Sequence, residues 1–156
     1  MTDTPGVGDA MPDIALDAGD GRTVRPSDFA GRRAVLFFYP KDMTPGCTTE
    51  AIDFSALKPR FDAAGVALLG ISKDSPARHA KFIEKHALTV ALASDAAAGG
   101  LSDSLGIWTE KQLYGRRFMG MIRTTVLLAP DGRIERVWAK VKVAGHAEEV
   151  LAAVEA

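Results

Sequence analysis

The stretch Ala34-Val35-Leu36-Phe37-Phe38-Tyr39-Pro40-Lys41-Asp42-Met43-Thr44-Pro45-Gly46-Cys47 decides the fold. Its first six residues are an unbroken apolar run stopped by a proline, the pattern of a strand buried on both faces. A short loop follows. Thr44 is a good N-cap residue, and Pro45 suits the first helical position, where its missing N–H costs no hydrogen bond. A helix is therefore expected from about Gly46, interrupted or restarted near Pro59 and finished by Gly65.

Working outward, Val66-Ala67-Leu68-Leu69-Gly70-Ile71-Ser72 reads as a second buried strand. Ser75-Pro76 opens a helix running to about His86, and Val90-Ala91-Leu92-Ala93 is a short third strand. The Ala-rich stretch 95–105 predicts a helix. Residues 123–129 and 134–139 predict strands joined by the turn Pro130-Asp131-Gly132, and 145–154 a closing helix with Glu148 and Glu149 at its positive end. Upstream, Ile14-Ala15-Leu16 and Arg22-Thr23-Val24 flank Asp17-Ala18-Gly19-Asp20-Gly21 as a β-hairpin, and Ser27-Asp28-Phe29 reads as a brief helical turn. Helical crossovers make the first strands parallel, and the tight turn makes the last two antiparallel. The expectation is an α/β, thioredoxin-like three-layer sandwich: a central mixed β-sheet flanked by helices, with an N-terminal β-hairpin. No repeat or linker divides residues 1–156, so a single domain is expected.

A chain of 156 residues can bury roughly two-thirds of its unfolded surface. Apolar residues are 47% and charged residues 25%, an ordinary soluble globular composition. With 19 basic and 20 acidic side chains, nothing favours nucleic acid or an anionic membrane as partner. The basic runs Arg32-Arg33 and Arg116-Arg117 are pairs rather than patches. Residues 1–11 lack an apolar core, so they do not read as a secretory signal, and no stretch approaches the roughly 18 apolar residues of a membrane helix. No grouping of His, Cys and acids has metal-ligand spacing, so neither metal nor cofactor is expected. The single cysteine excludes an intramolecular disulfide, and a cytoplasmic location is the expectation.

A lone cysteine is compatible with an inert buried thiol, a bridge between chains or a reactive nucleophile. Cys47 falls in the first turn of the expected helix, where free N–H groups and the positive dipole end favour an anion. An ordinary thiol is about 3% ionised at pH 7, and making it about 90% ionised takes roughly 3.4 kcal/mol. A helix N-terminus supplies about 0.3–1 kcal/mol, and about 2 at best. A cation distant in sequence is therefore required, and Arg123, beginning an apolar strand, is the candidate.

The run Tyr39-Pro40-Lys41-Asp42-Met43-Thr44-Pro45-Gly46-Cys47-Thr48-Thr49-Glu50-Ala51 resembles the active-site loop of peroxiredoxins, specifically the bacterioferritin comigratory protein or peroxiredoxin Q branch. The likeness extends through Gly70-Ile71-Ser72-Lys73-Asp74-Ser75, Trp108, Lys111, Tyr114-Gly115, Met119-Gly120, Ile122-Arg123-Thr124-Thr125 and Gly145-His146-Ala147, over about 8–151. It implies a thiol peroxidase in which Cys47 becomes a sulfenic acid, Thr44 positions the peroxide, Pro40 shields the sulfur and Arg123 holds the thiolate. Gly46, Tyr39, Glu50 and Trp108 are the further substrate-side candidates, with Glu50 a candidate for orienting Arg123. Many relatives carry a resolving cysteine five residues on; here that position is Ile52. An external thiol (thioredoxin, glutaredoxin or glutathione) must then complete the cycle. The resemblance also implies a monomer. Disulfide exchange is excluded because Thr44 stands where Cys-x-x-Cys needs a cysteine; the alternative is a peroxide-responsive redox sensor or interaction module. His79 and His86 read as surface residues and His146 as structural, whereas Met119, Met121 and Trp108 read either as an apolar rim or as core packing.

Overall fold

The computed structural model describes residues 6–19, 21–96 and 99–155. The apolar run before Pro40 forms β3 (Ala34–Phe38), whose five residues are all buried. Its alternate side chains divide between two cores. Val35 and Phe37, with Tyr39 just beyond the strand, join one, and Ala34, Leu36 and Phe38 join the other. That division is what a period of two requires of a strand covered on both faces.

The remaining elements are β1 (Leu16–Gly19), β2 (Arg22–Val24), α1 (Pro45–Ala63), β4 (Ala67–Ser72), α2 (Pro76–His86), β5 (Ala91–Ser94), α3 (Leu101–Ser104), β6 (Trp108–Leu113), β7 (Arg116–Met121), β8 (Thr124–Leu128), β9 (Ile134–Trp138) and α4 (His146–Glu155). A seven-stranded sheet has the order β2-β1-β5-β4-β3-β8-β9, and β6-β7 forms a separate ribbon. β3, β4 and β5 are parallel, while β8 and β9 are antiparallel to their neighbours. The expected mixed sheet and the thioredoxin-like layering are both present. On one face Phe54 and Phe61 of α1, Phe82 of α2 and Val150 of α4 close the core. On the other, Leu101 of α3 joins Met11, Leu16 and Met121. Among the described residues no helix is long and apolar enough to cross a membrane.

Three local expectations are corrected, and one element is added. The helix is not interrupted at Pro59, which lies inside continuous α1. The Ser55 carbonyl, deprived of its partner by Pro59, instead accepts from Thr89 Oγ1 at 3.1 Å. The stretch 95–105 is helical only over α3, and part of it lies outside the described residues. The buried Asp95 carboxylate there receives the N–H groups of Leu101 and Ser102 at 2.9 and 2.7 Å, capping the shorter helix in the manner of an N-cap side chain. The first strand begins at Leu16 rather than Ile14 and runs through Asp17 to Gly19, shortening the turn. The β6–β7 hairpin was not expected at all. Its two-residue turn, Tyr114-Gly115, holds both φ angles positive at 52° and 76°, which is type I′ geometry without the usual Asn or Asp.

Gly70 in β4 is a packing constraint. A Cβ there would lie 2.6 Å from Leu92 Cδ2 and 2.7 Å from Phe37 Cζ, inside the core that backs α1. Gly70→Ala should therefore cost about 1–3 kcal/mol through overpacking, read from denaturant unfolding. Unchanged stability would mean that Phe37 and Leu92 can part freely.

Candidate active site

Cys47 is the third residue of α1 and is 2% exposed. Thr44 occupies the N-cap with φ −80° and ψ 151°, but its hydroxyl does not cap the helix. It turns back to donate to the Lys41 carbonyl at 2.9 Å. The first-turn amides of Gly46 and Cys47 are thus left without a side-chain cap, as donors around the sulfur. Because the Thr44 hydrogen is committed to Lys41, the lone pairs of its oxygen remain available as acceptors.

Arg123 arrives from across the sheet. It immediately precedes β8, and the register pairs Phe38 with Thr124. The end of β3 and the start of β8 therefore lie at the same end of the sheet, where the loop into α1 begins. Arg123 Nη2 lies 3.2 Å from Cys47 Sγ, and Nη1 lies 2.6 Å from Glu50 Oε1. Glu50 is one helical turn beyond Cys47, so both acceptors face the same guanidinium. A Cβ at Gly46 would lie 3.4 Å from Arg123 Nη2, which places the guanidinium directly over the first turn.

The Glu50 carboxyl is 1% exposed, and its Oε2 meets no donor among the described residues. Burial pushes it up to about 7, against the pull of Arg123. For Arg123 itself, burial works downward but is outweighed by Glu50 and Cys47, and its affinity for the proton rises. The guanidinium therefore stays charged while shared between two acids. Behind it, burial lowers His146, whose Nε2 lies 2.8 Å from the Thr125 hydroxyl and whose ring stands edge-on to Phe54 and Trp138. His146 thus packs the wall behind the site.

The structure brings Cys47, Arg123, Glu50, Gly46 and Thr44 to one place, with Pro40 half-buried at the end of β3. It does not bring Tyr39 or Trp108 to the sulfur as substrate contacts. Tyr39 is 1% exposed, and its hydroxyl donates to Asp42 Oδ1 at 2.6 Å. Burial and that carboxylate push the Tyr39 hydroxyl well above its ordinary value, so it keeps its proton and donates it to Asp42. Trp108 packs with the core on the other face of the sheet, under the Lys73 ammonium at 5.2 Å. Met121 is fully buried while Met119 is half exposed, so they do not form a joint apolar rim. Ile52 is exposed on α1.

His79 is likewise not a surface residue. It is 3% exposed, with Nδ1 2.6 Å from Asp42 Oδ2 and Nε2 3.0 Å from the Ala93 carbonyl. Its place in the sequence carried the signal: three residues before Phe82 and four before Ile83, it lies on the apolar stripe of α2. His86, half-buried, meets the Phe82 ring edge-on.

The AhpC/TSA family pattern matches residues 7–137. Peroxiredoxin Bcp of Xanthomonas campestris pv. campestris is 46% identical over 143 residues, which cover 92% of this chain and 88% of that protein. Peroxiredoxin Bcp of Bacillus subtilis is 42% identical over 145 residues, covering 93% and 92%. A structure of the X. campestris bacterioferritin comigratory protein, from trapped intermediate/ligand complexes bearing on its alkyl peroxide reduction activity, aligns with a TM-score of 0.90 at 41% identity, covering 97% of each chain. Likeness of this extent in both sequence and structure, joined to a single cysteine, places the chain in the AhpC/TSA family as a one-cysteine thiol peroxidase of the peroxiredoxin Bcp kind.

Proposed function

We propose that Cys47 attacks one oxygen of hydrogen peroxide or an organic hydroperoxide, with Arg123, Thr44 and the first-turn amides completing the chemistry. Sγ forms the new S–O bond as the O–O bond breaks, and the leaving oxygen takes a proton to become water or an alcohol. Cys47 is left as a sulfenic acid. The observation that carries this reading is the 3.2 Å approach of Arg123 Nη2 to Cys47 Sγ, beside its 2.6 Å bond to Glu50. Arg123 favours the thiolate and meets the charge that spreads along the breaking bond. Thr44 Oγ1 accepts the peroxide hydrogen, and Pro40 shields the sulfur from bulk water. Glu50 orients Arg123.

Thiolate formation alone does not make a fast peroxidase, because intrinsic nucleophilicity falls with thiol pKa. Groups aimed at the transition state must supply the rate. With Ile52 where a second cysteine would stand, reduction falls to an external thiol: thioredoxin, glutaredoxin or glutathione. The enzyme acts as a monomer in the cytoplasm, where such thiols are held reduced.

A peroxidase assay across thioredoxin, glutaredoxin and glutathione systems, with Cys47→Ser as blank, tests the reading. Turnover with at least one reductant is expected, whereas a single oxidation with no recycling would favour a sensor. In the same assay Arg123→Ala should lose about 10²-fold or more, exceeding the fall in thiolate fraction followed by ultraviolet absorbance. A loss equal to that fall would assign Arg123 to thiolate formation alone.

One equivalent of peroxide should leave the protein monomeric on non-reducing gels and reactive toward a sulfenic-acid probe. Stoichiometric disulfide dimers would instead place reduction between two Cys47 residues.

Glu50 gives a pH signature. Its folded value of about 7 exceeds the ordinary 4.5, so the folded chain binds the extra proton between these limits. Stability therefore falls as pH rises through that window, by about 3 kcal/mol at most. Denaturant midpoints between pH 5 and 7.5 should show this slope, and Glu50→Gln should flatten it. An equal slope in both proteins would place the titration elsewhere.

A further inference from the structure

Beside the reacting groups lies a buried cluster that the peroxidase chemistry leaves unused. Asp42, 0% exposed, stands in the loop between β3 and Thr44. Its Oδ1 receives the Tyr39 hydroxyl at 2.6 Å, and its Oδ2 faces His79 Nδ1 at 2.6 Å. Its backbone is gripped as well. The Asp42 N–H donates to Asp74 Oδ2 at 2.7 Å, and its carbonyl accepts from Arg78 Nη2 at 3.3 Å. Arg78 Nε in turn lies 3.1 Å from Asp74 Oδ1. Two consecutive residues in the first turn of α2, Arg78 and His79, thus hold one loop residue.

The ring of His79 is held at both ends. A backbone carbonyl only accepts, so Nε2 must donate to Ala93. Tyr39 already donates to Oδ1, so the 2.6 Å contact between Nδ1 and Oδ2 is a separate hydrogen bond on the other oxygen of the same carboxyl. Removing one partner of such a buried hydrogen bond leaves the other unsatisfied.

What this clamp holds is strained. Met43, between Asp42 and Thr44, has φ +66°, a left-handed conformation unfavourable for a side chain of its size. Such a residue persists only where its surroundings over-determine it. Downstream of Met43 stand Thr44 and, three residues on, Cys47.

We propose that His79 is a positioning residue of the peroxidase: by clamping Asp42 it holds the strained turn at Met43 and so sets where Thr44 meets the peroxide. The inference rests on the roles given above to Cys47 and Thr44. His79 acts through the loop, whereas Arg123 meets the Cys47 sulfur directly.

The test compares His79→Ala, His79→Asn and His79→Gln with the parent, measuring the rate of Cys47 oxidation by hydrogen peroxide and of Cys47 alkylation by iodoacetamide. Alkylation needs the thiolate but not the peroxide-positioning turn. Asn places an amide nitrogen where Nδ1 stood and can keep the bond to Asp42, whereas Gln reaches toward the Ala93 carbonyl instead. His79→Ala and His79→Gln should lose about tenfold or more in peroxide oxidation, as misplacement of a substrate-positioning group does, with KM for peroxide raised in steady state. Their alkylation should be unchanged or faster, and His79→Asn should recover most of the oxidation rate. If the Ala variant does not fold, the Asn and Gln pair decides. A His79→Ala chain as fast as an active parent, rescue by Gln equal to that by Asn, or oxidation and alkylation falling together would each overturn the inference. A parent without peroxidase turnover would instead overturn the underlying reading of the site.

Discussion

The antiparallel pairing of β3 with β8 is the constraint on which the site depends. Because Phe38 stands opposite Thr124, the residue before β8 emerges beside the loop that follows β3. That residue is Arg123, and that loop leads into the first turn of α1. A one-residue slip in register would turn each β8 side chain to the other face of the sheet. The slip is opposed on both sides, since Val126 and Leu127 fill opposite cores. Burial of apolar strands, with no catalytic purpose of its own, thus fixes the distance between a cation and a sulfur 76 residues apart in the chain.

The guanidinium so delivered answers two acids at once. Its charge is divided between Cys47 and Glu50, and burial resists leaving both anionic beside a single cation. Glu50 therefore gives the site a group that titrates near neutrality without being the nucleophile. Its second oxygen, buried and unbonded among the described residues, marks where the ionised form is poorly served. The cost in stability is local, and the return is an arginine whose planar fork is fixed by its bond to Oε1.

What the sequence revealed divides along the same physical line. The strands β3, β4 and β8 and the helices α2 and α4 were legible because burial writes itself as apolar runs and stripes. Arg123 was legible because the helix dipole is too weak to ionise a thiol, so the thiolate needs a cation from elsewhere in the chain. The β6–β7 hairpin was not legible, since Glu110, Gln112, Leu113 and Arg116 through Met119 are exposed and the ribbon buries little beyond its base at Gly120 and Met121. The continuity of α1 past Pro59 and the shortness of α3 depend on Thr89 and Asp95, partners distant in sequence or outside the helix concerned. The Asp42–His79 pair was missed for the same reason: a histidine among lysines and arginines looks solvated until its place on the stripe of Phe82 is weighed.

The loop from Pro40 to Thr44 is therefore held from two sides, by α2 through Asp42 and by the first turn of α1 beneath Arg123. Such a loop suits an enzyme with one cysteine. Where a second cysteine on the same helix resolves the first, the chain must yield enough for two sulfurs to meet. Here Ile52 points into solvent from an unbroken helix, and the chemistry makes no such demand. The demand falls on access instead, because an external thiol must reach a sulfur that is 2% exposed. Pro45 and Gly46 are the exposed residues of that turn, and Gly46 carries no side chain to obstruct an approach. The turn that meets Arg123 from within thus presents Pro45 and Gly46 to solvent, the side from which a reductant approaches.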